Sequence, residues 1–352
     1  MEKTNNDLMK WNVRTDLAYD ECIQYRDQQL PDFHEEEGKI NDVKVIKHII
    51  GQQASSILHK SPGQYYTLDL TNTDFHDATI CENIEKALAA VLVEILEQKQ
   101  LLRKRCLLVG LGNINVTPDA LGPYVIDNVI VTRHLFELGS VSDGFSEVSA
   151  LSPGVMGTTG IETFDIIKAV KDKIAVDYLI VIDALASNSI ARVNKTIQIT
   201  DTGIRPGSGV GNKRKELSIA TMGVPVIAIG VPTVVDAVTI TSEAIDYVMK
   251  YLQQGIDGKE NAANKITMTP VAVAYDKLPE PNKDTKEVLM GKVGLLDDEE
   301  KRTLIQEVLT PNGYNMMVTP KEVDADIEDL SKIIATGIDL AIHPGLLTGH
   351  TE

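Results

Sequence analysis

Three short apolar runs stand out in the hydrophobic pattern of this chain: Cys106 to Val109, Tyr178 to Ile182, and Pro225 to Gly230. Each is too short for a helix and unbroken by alternating polar residues, so each predicts a strand buried on both faces. Gln64 to Leu70 and Val193 to Thr200 predict further strands, and Asp42 to Gly51 a strand passing into a short helix or loop. Between them lie helical periods. In Asn83 to Leu102, Ile84, Leu88, Val91 and Ile95 recur at helical spacing. Helices are also expected over Leu17 to Leu30 (ended by Pro31), Asp119 to Leu138, Thr163 to Val170, Ser242 to Leu252, Glu299 to Leu309 and Pro320 to Ala341. Asp32 to Gly38 reads as an acidic loop, Gly139 to Gly160 as a long polar loop, and Asp201 to Gly211 as a Gly/Ser/Pro loop followed by basic Lys213 to Lys215. Buried strands alternating with helices predict an α/β fold: one core, a largely parallel central sheet flanked by helices, with insertions.

The chemistry gathers where two of these strands end. After Cys106 to Val109, Gly110 and Gly112 let the backbone turn sharply and approach a neighbour closely. Asn113, Asn115 and Thr117 follow, then Pro118 and Asp119 at a helix start. The run from Asp177 ends in a second carboxylate, Asp183. If the two strands are parallel neighbours, both carboxylates emerge at one sheet edge, the usual place for chemistry in an open α/β sheet. Together they are a candidate acid/base pair. Aspartates at such positions also serve as helix caps and turn formers, which is the competing reading of each alone.

Composition narrows the classes. With 352 residues, 43% hydrophobic and 24% charged, this is an ordinary globular chain. A formal net charge of −17 repels nucleic-acid phosphates and anionic membranes, so neither is expected as a partner. The three cysteines, Cys22, Cys81 and Cys106, form no CxxC pair, and the seven histidines show no ligand spacing, so no metal site is expected. No apolar leader or membrane-length run occurs, and a cytoplasmic location is expected. A P-loop and a G-x-S-x-G elbow are absent, and the third position of a dinucleotide fingerprint is Asn115 rather than glycine. Carboxylate chemistry remains, with no cofactor.

The segments Leu-Val-Gly-Leu-Gly-Asn-Ile-Asn-Val-Thr-Pro-Asp-Ala-Leu-Gly-Pro at 108–123, Val-Ile-Asp-Ala-Leu-Ala at 181–186, Asp-Thr-Gly-Ile-Arg-Pro-Gly-Ser-Gly-Val-Gly-Asn at 201–212 and Ser-Pro-Gly-Val-Met-Gly-Thr-Thr-Gly at 152–160 resemble the germination proteases of spore-forming bacteria. The likeness runs from Val13-Arg-Thr-Asp-Leu-Ala18 to Pro344. It implies an endopeptidase that degrades small acid-soluble spore proteins on germination, made as a zymogen, assembled as a homotetramer and working in the forespore or spore core. It also implies a single large α/β domain, residues 17–352, after a propeptide, residues 1–16, with a fold like that of the hydrogenase-maturation endopeptidases (phosphorylase/hydrolase-like). In those relatives the two carboxylates, matched here by Asp119 and Asp183, engage a metal. In germination proteases they act as an aspartic-type dyad. Processing after an acidic residue and before an apolar one matches Asp16 and Leu17. An acidic side chain before the cut needs a cationic or amide-rich pocket, whose charge Arg205 or Lys213 to Lys215 could supply, and Gly112, Asn113, Arg205, Gly207 and Gly209 are candidate substrate-binding residues. Two alternatives stand beside this: a metal-assisted hydrolase using the same carboxylates, and a non-catalytic binder of small metabolites or nucleotides.

Overall fold

The computed structural model describes residues 18–19, 22, 30–71, 73–75, 77–206, 214–257, 278–309 and 316–348. Gly207, Gly209, Lys213, Asp16 and Leu17 lie outside them. The chain divides into two compact units, one of Val13–Val234 with Thr319–Glu352, the other of Met1–Asn12 with Val235–Val318.

The larger unit is built on a sheet. Its strands are β1 (Phe33–Ile40), β2 (Val43–Ile50), β3 (Gly63–Asp69), β4 (Cys106–Gly110), β5 (Val148–Leu151), β6 (Tyr178–Ser187), β7 (Thr196–Thr200) and β8 (Val226–Asp236), in spatial order β1-β2-β3-β7-β8-β6-β4-β5. The three expected buried strands are β4, β6 and β8. β4 pairs in parallel with both β5 and β6. β1 to β3 and β7 join as antiparallel strand insertions on the far side of β8.

Alternation along the strands makes two faces. On one, Leu108, Ile180, Ile182, Ile199 and Ile229 form a large core with the helices Ala78–Gln98, Leu121–Asn128 and Val323–Ile342. Gly337 permits the close packing of two of these helices, since a Cβ there would run into the Leu88 side chain. The opposite face carries two separate apolar clusters. Leu107, Val109, Leu111, Val181, Leu217 and Val226 cover the parallel strands, and Ala18, Cys22, Ile50, Ala54, Leu58 and Tyr65 cover the antiparallel ones. Asp183, Gly230 and Gln198 alternate onto this second face.

Four expectations change. Asp32 to Gly38 is not a loop; most of it belongs to β1. Its acidic side chains give no apolar face to detect, and its order comes from pairing with β2 along one sheet edge. The helix expected from Asp119 to Leu138 is broken into a 3-10 turn Thr117–Asp119 and helices Leu121–Asn128 and Arg133–Glu137. The β-branched run Ile130-Val131-Thr132 leaves the helix because its amides bond elsewhere: Ile130 N–H to the Asp339 carboxylate and Thr132 N–H to the Val148 carbonyl. The long loop at 139–160 contains β5, four residues whose period is too short to read. Finally, β6 does not stop at Asp183 but continues to Ser187.

The smaller unit holds helices Ala237–Asp257, Lys283–Met290 and Asp298–Leu309, the first packed on the other two. A short strand β9 (Met317–Val318) pairs antiparallel with Val235 and Asp236.

Candidate active site

The register of β4 and β6 positions the site. Gly110 pairs with Ile182, and the Leu111 N–H donates to the Ile182 carbonyl at 2.8 Å. Asp183 therefore follows directly on the last pair of the parallel ladder, beside the point where the β4 chain leaves the sheet. That chain returns tightly. The Asn113 N–H donates both to the Asp119 carbonyl at 3.0 Å and to its carboxylate at 2.9 Å. Gly112 lies at φ +118°, and a Cβ on it would overlap the Asp119 carbonyl oxygen. Gly110 and Gly122 are in similar backbone contact, so the helix Leu121–Asn128 starts hard against the strand end. The Thr117–Asp119 turn packs against β6, and the Thr233 hydroxyl of β8 donates to the Pro118 carbonyl at 2.6 Å. Both carboxylates thus stand at one edge of the sheet.

Their environments differ. Burial raises the pKa of the Asp119 carboxyl from its ordinary value, while the Asn113 N–H and the charge of Arg214 oppose that rise. Asp183 is 6% exposed and accepts the Ala184 N–H at 3.0 Å. A half-buried carboxyl that holds its proton longer, at the same sheet edge as a second carboxylate, can supply an acid and a base in one place.

The remaining expected residues divide. Asn113 shapes the loop: its side chain accepts the Asn115 N–H at 3.1 Å, an Asx turn. Arg205 is ion-paired to Glu216 at 2.9 Å. Lys215 is paired with Asp165 at 3.0 Å and lies over the Phe164 ring. Arg214 is half-buried and forms no ion pair among the described residues. Sequence reading singled out neither Gly122 nor Thr233, which hold the turn, and it left Arg214 within an undivided basic run. The signal available was slight: Gly122 lies within the quoted 108–123 segment, and Thr233 gains meaning only through a partner 115 positions away. No group of three or more His, Cys, Asp or Glu able to hold a metal ion occurs among the described residues. No helix among them is long and apolar enough to cross a membrane.

A family model described as germination protease matches residues 13–351. The chain belongs to the germination protease family. Among its relatives, the germination proteases of Bacillus cereus (strain AH187) and Bacillus anthracis are each 49% identical, over 96% of this chain and 95% of theirs. Among solved structures, a [NiFe] hydrogenase maturation protease from Thermococcus kodakarensis KOD1 aligns at 23% identity over 41% of this chain and 80% of its own, with a TM-score of 0.26. The protein is therefore a peptidase, an endopeptidase of spore germination, and the non-catalytic alternative falls away.

Proposed function

We propose that Asp119 and Asp183 are the catalytic pair of an aspartic-type endopeptidase that degrades small acid-soluble spore proteins. The observation that carries this is the parallel register of β4 and β6, which sets buried Asp183 beside the point where β4 leaves the sheet for the tight return that ends at half-buried Asp119. Asp119, whose burial favours the protonated form, donates to the scissile carbonyl oxygen. Asp183 takes a proton from water, whose oxygen attacks the carbonyl carbon. The proton held by Asp183 then passes to the leaving nitrogen as the C–N bond breaks, and Asp119 is reprotonated when the new carboxyl group forms. No metal takes part in this scheme.

The enzyme is made as a zymogen and cuts itself between Asp16 and Leu17, leaving residues 17–352 as the protease body. Two features support that boundary: Ala18 is fully buried, and its N–H donates to the Gln198 side chain at 3.0 Å. The body acts as a homotetramer in the spore core, cutting after an acidic residue and before an apolar one.

Asp119→Asn and Asp183→Asn test the pair. Each should lower turnover of a purified spore protein by a factor on the order of a thousand or more while leaving the unfolding temperature nearly unchanged. A folded Asp183→Asn enzyme with near-normal turnover would remove the pair from the mechanism.

A further inference from the structure

A protein of net charge −17 that cuts after an acidic residue must offset its own repulsion at the point of contact. The side chain before the cut branches from the Cα bonded to the scissile carbonyl carbon, and its carboxylate reaches only about 4–5 Å from that carbon. Whatever reads that carboxylate must therefore stand close to Asp119 and Asp183. Three described cations flank the glycine-rich loop. Arg205 is engaged by Glu216, and Lys215 is engaged by Asp165 and the Phe164 ring. Arg214 remains: it is half-buried, without an ion pair among the described residues, and its charge acts on Asp119.

Its placement is built into the fold. The N–H of Ile204 donates to the Leu217 carbonyl at 2.9 Å and the Leu217 N–H donates back at 2.8 Å, closing the base of the loop. Gly203, at φ +89°, lets the backbone touch Leu217, where a Cβ would overlap its carbonyl oxygen. Leu217 is itself buried in the cluster that holds Leu111, the residue between Gly110 and Gly112. Arg214 lies three residues before this anchor.

We propose that Arg214 is the specificity-determining residue for the acidic side chain before the cut, its guanidinium donating paired hydrogen bonds to that carboxylate. The planar fork suits a carboxylate, and a half-buried setting strengthens the pair over one in open water. This rests on the carboxylate-pair reading above. With substrate bound, the incoming carboxylate draws on the same positive charge that Asp119 feels in its absence. That weakens the stabilisation of ionised Asp119 and favours its proton-donating form when the substrate arrives.

The test compares a small acid-soluble spore protein with a version whose acidic residue before the cut is replaced by its amide. Each is cleaved by the wild type, Arg214→Ala and Arg214→Lys. The wild type should prefer the acid over the amide in kcat/KM by about tenfold to a hundredfold. Arg214→Ala should bring that ratio near unity, mainly by losing the acidic substrate, and Arg214→Lys should restore part of it. Equal losses on both substrates in Arg214→Ala, with the ratio kept, would assign Arg214 to Asp119 alone and overturn the proposal. An unchanged ratio with no loss would also overturn it. All three proteins are used as the processed body, residues 17–352, and no cleavage of either substrate by the processed wild type would bring down the carboxylate-pair reading and this proposal with it.

Discussion

Asp339 is 7% exposed in the last turn of the helix Val323–Ile342, and among the described residues its carboxylate receives a single donor, the Ile130 N–H, at 3.1 and 3.2 Å to its two oxygens. Burial raises its pKa from 3.8 to about 7, with the Ile130 bond opposing. The negative end of the helix dipole adds to the disfavour of an anion there. His343, one turn on, does not compensate: burial lowers its pKa, and its Nδ1 accepts the Ser146 N–H at 3.2 Å, so the ring is neutral. The sign follows from which state holds the proton. Above about pH 4 the unfolded chain has an ionised Asp339, while the folded chain keeps its proton until about pH 7. The carboxyl therefore favours folding at low pH, and that contribution is lost as pH rises through the folded pKa. Between pH 5 and pH 8 the loss is about 2.5 kcal/mol. Asp339→Asn keeps an oxygen for the Ile130 N–H and cannot ionise. Urea unfolding of both proteins at pH 5 and pH 8 reads the difference, with other titrations cancelling. Relative to the variant, the wild type should lose about 2.5 kcal/mol over that interval. A difference between the two proteins that stays constant within about 0.5 kcal/mol would mean that Asp339 ionises at an ordinary carboxylate pH, and the burial reasoning would fail.

Other tests address the site. Gly112→Ala places a side chain at φ +118° against the Asp119 carbonyl, so it should cost about 1–3 kcal/mol of stability and lower kcat far more than it raises KM. A wild-type-like enzyme would show that the return loop does not set Asp119. Proteolysis should withstand a divalent-metal chelator; full loss, restored by one divalent ion, would favour the metal-assisted alternative. Held under mildly acidic, dehydrating conditions, the wild-type chain should yield a new N-terminus at Leu17 by mass, and Asp119→Asn should not. A cut in that variant would assign processing to another protease.

The three buried strands, the helices Ala78–Gln98 and Val323–Ile342 and the shared sheet edge of the two carboxylates were legible in the sequence. Each is marked locally, by an unbroken apolar run, a 3.6-residue period, or an acid at or shortly beyond the end of such a run. Gly110 and Gly112 also read correctly as a tight return, because only glycine tolerates the conformation at Gly112. What the sequence could not show depends on partners far along the chain. β1 is a strand only because β2 pairs with it, and its own exposed acids carry no pattern. The helix after Asp119 ends at Asn128 because Ile130 finds a better acceptor 209 residues away. Arg205, Arg214 and Lys215 are equivalent on paper. Only the tertiary structure, by engaging Arg205 with Glu216 and Lys215 with Asp165, leaves Arg214 as the described cation acting on Asp119. Local pattern thus determined the buried strands and most of the helices, because these follow from short-range periodicity and backbone sterics. Which charges are already neutralised and which carboxyl keeps its proton were decided by packing, because burial and pairing are properties of neighbours in space.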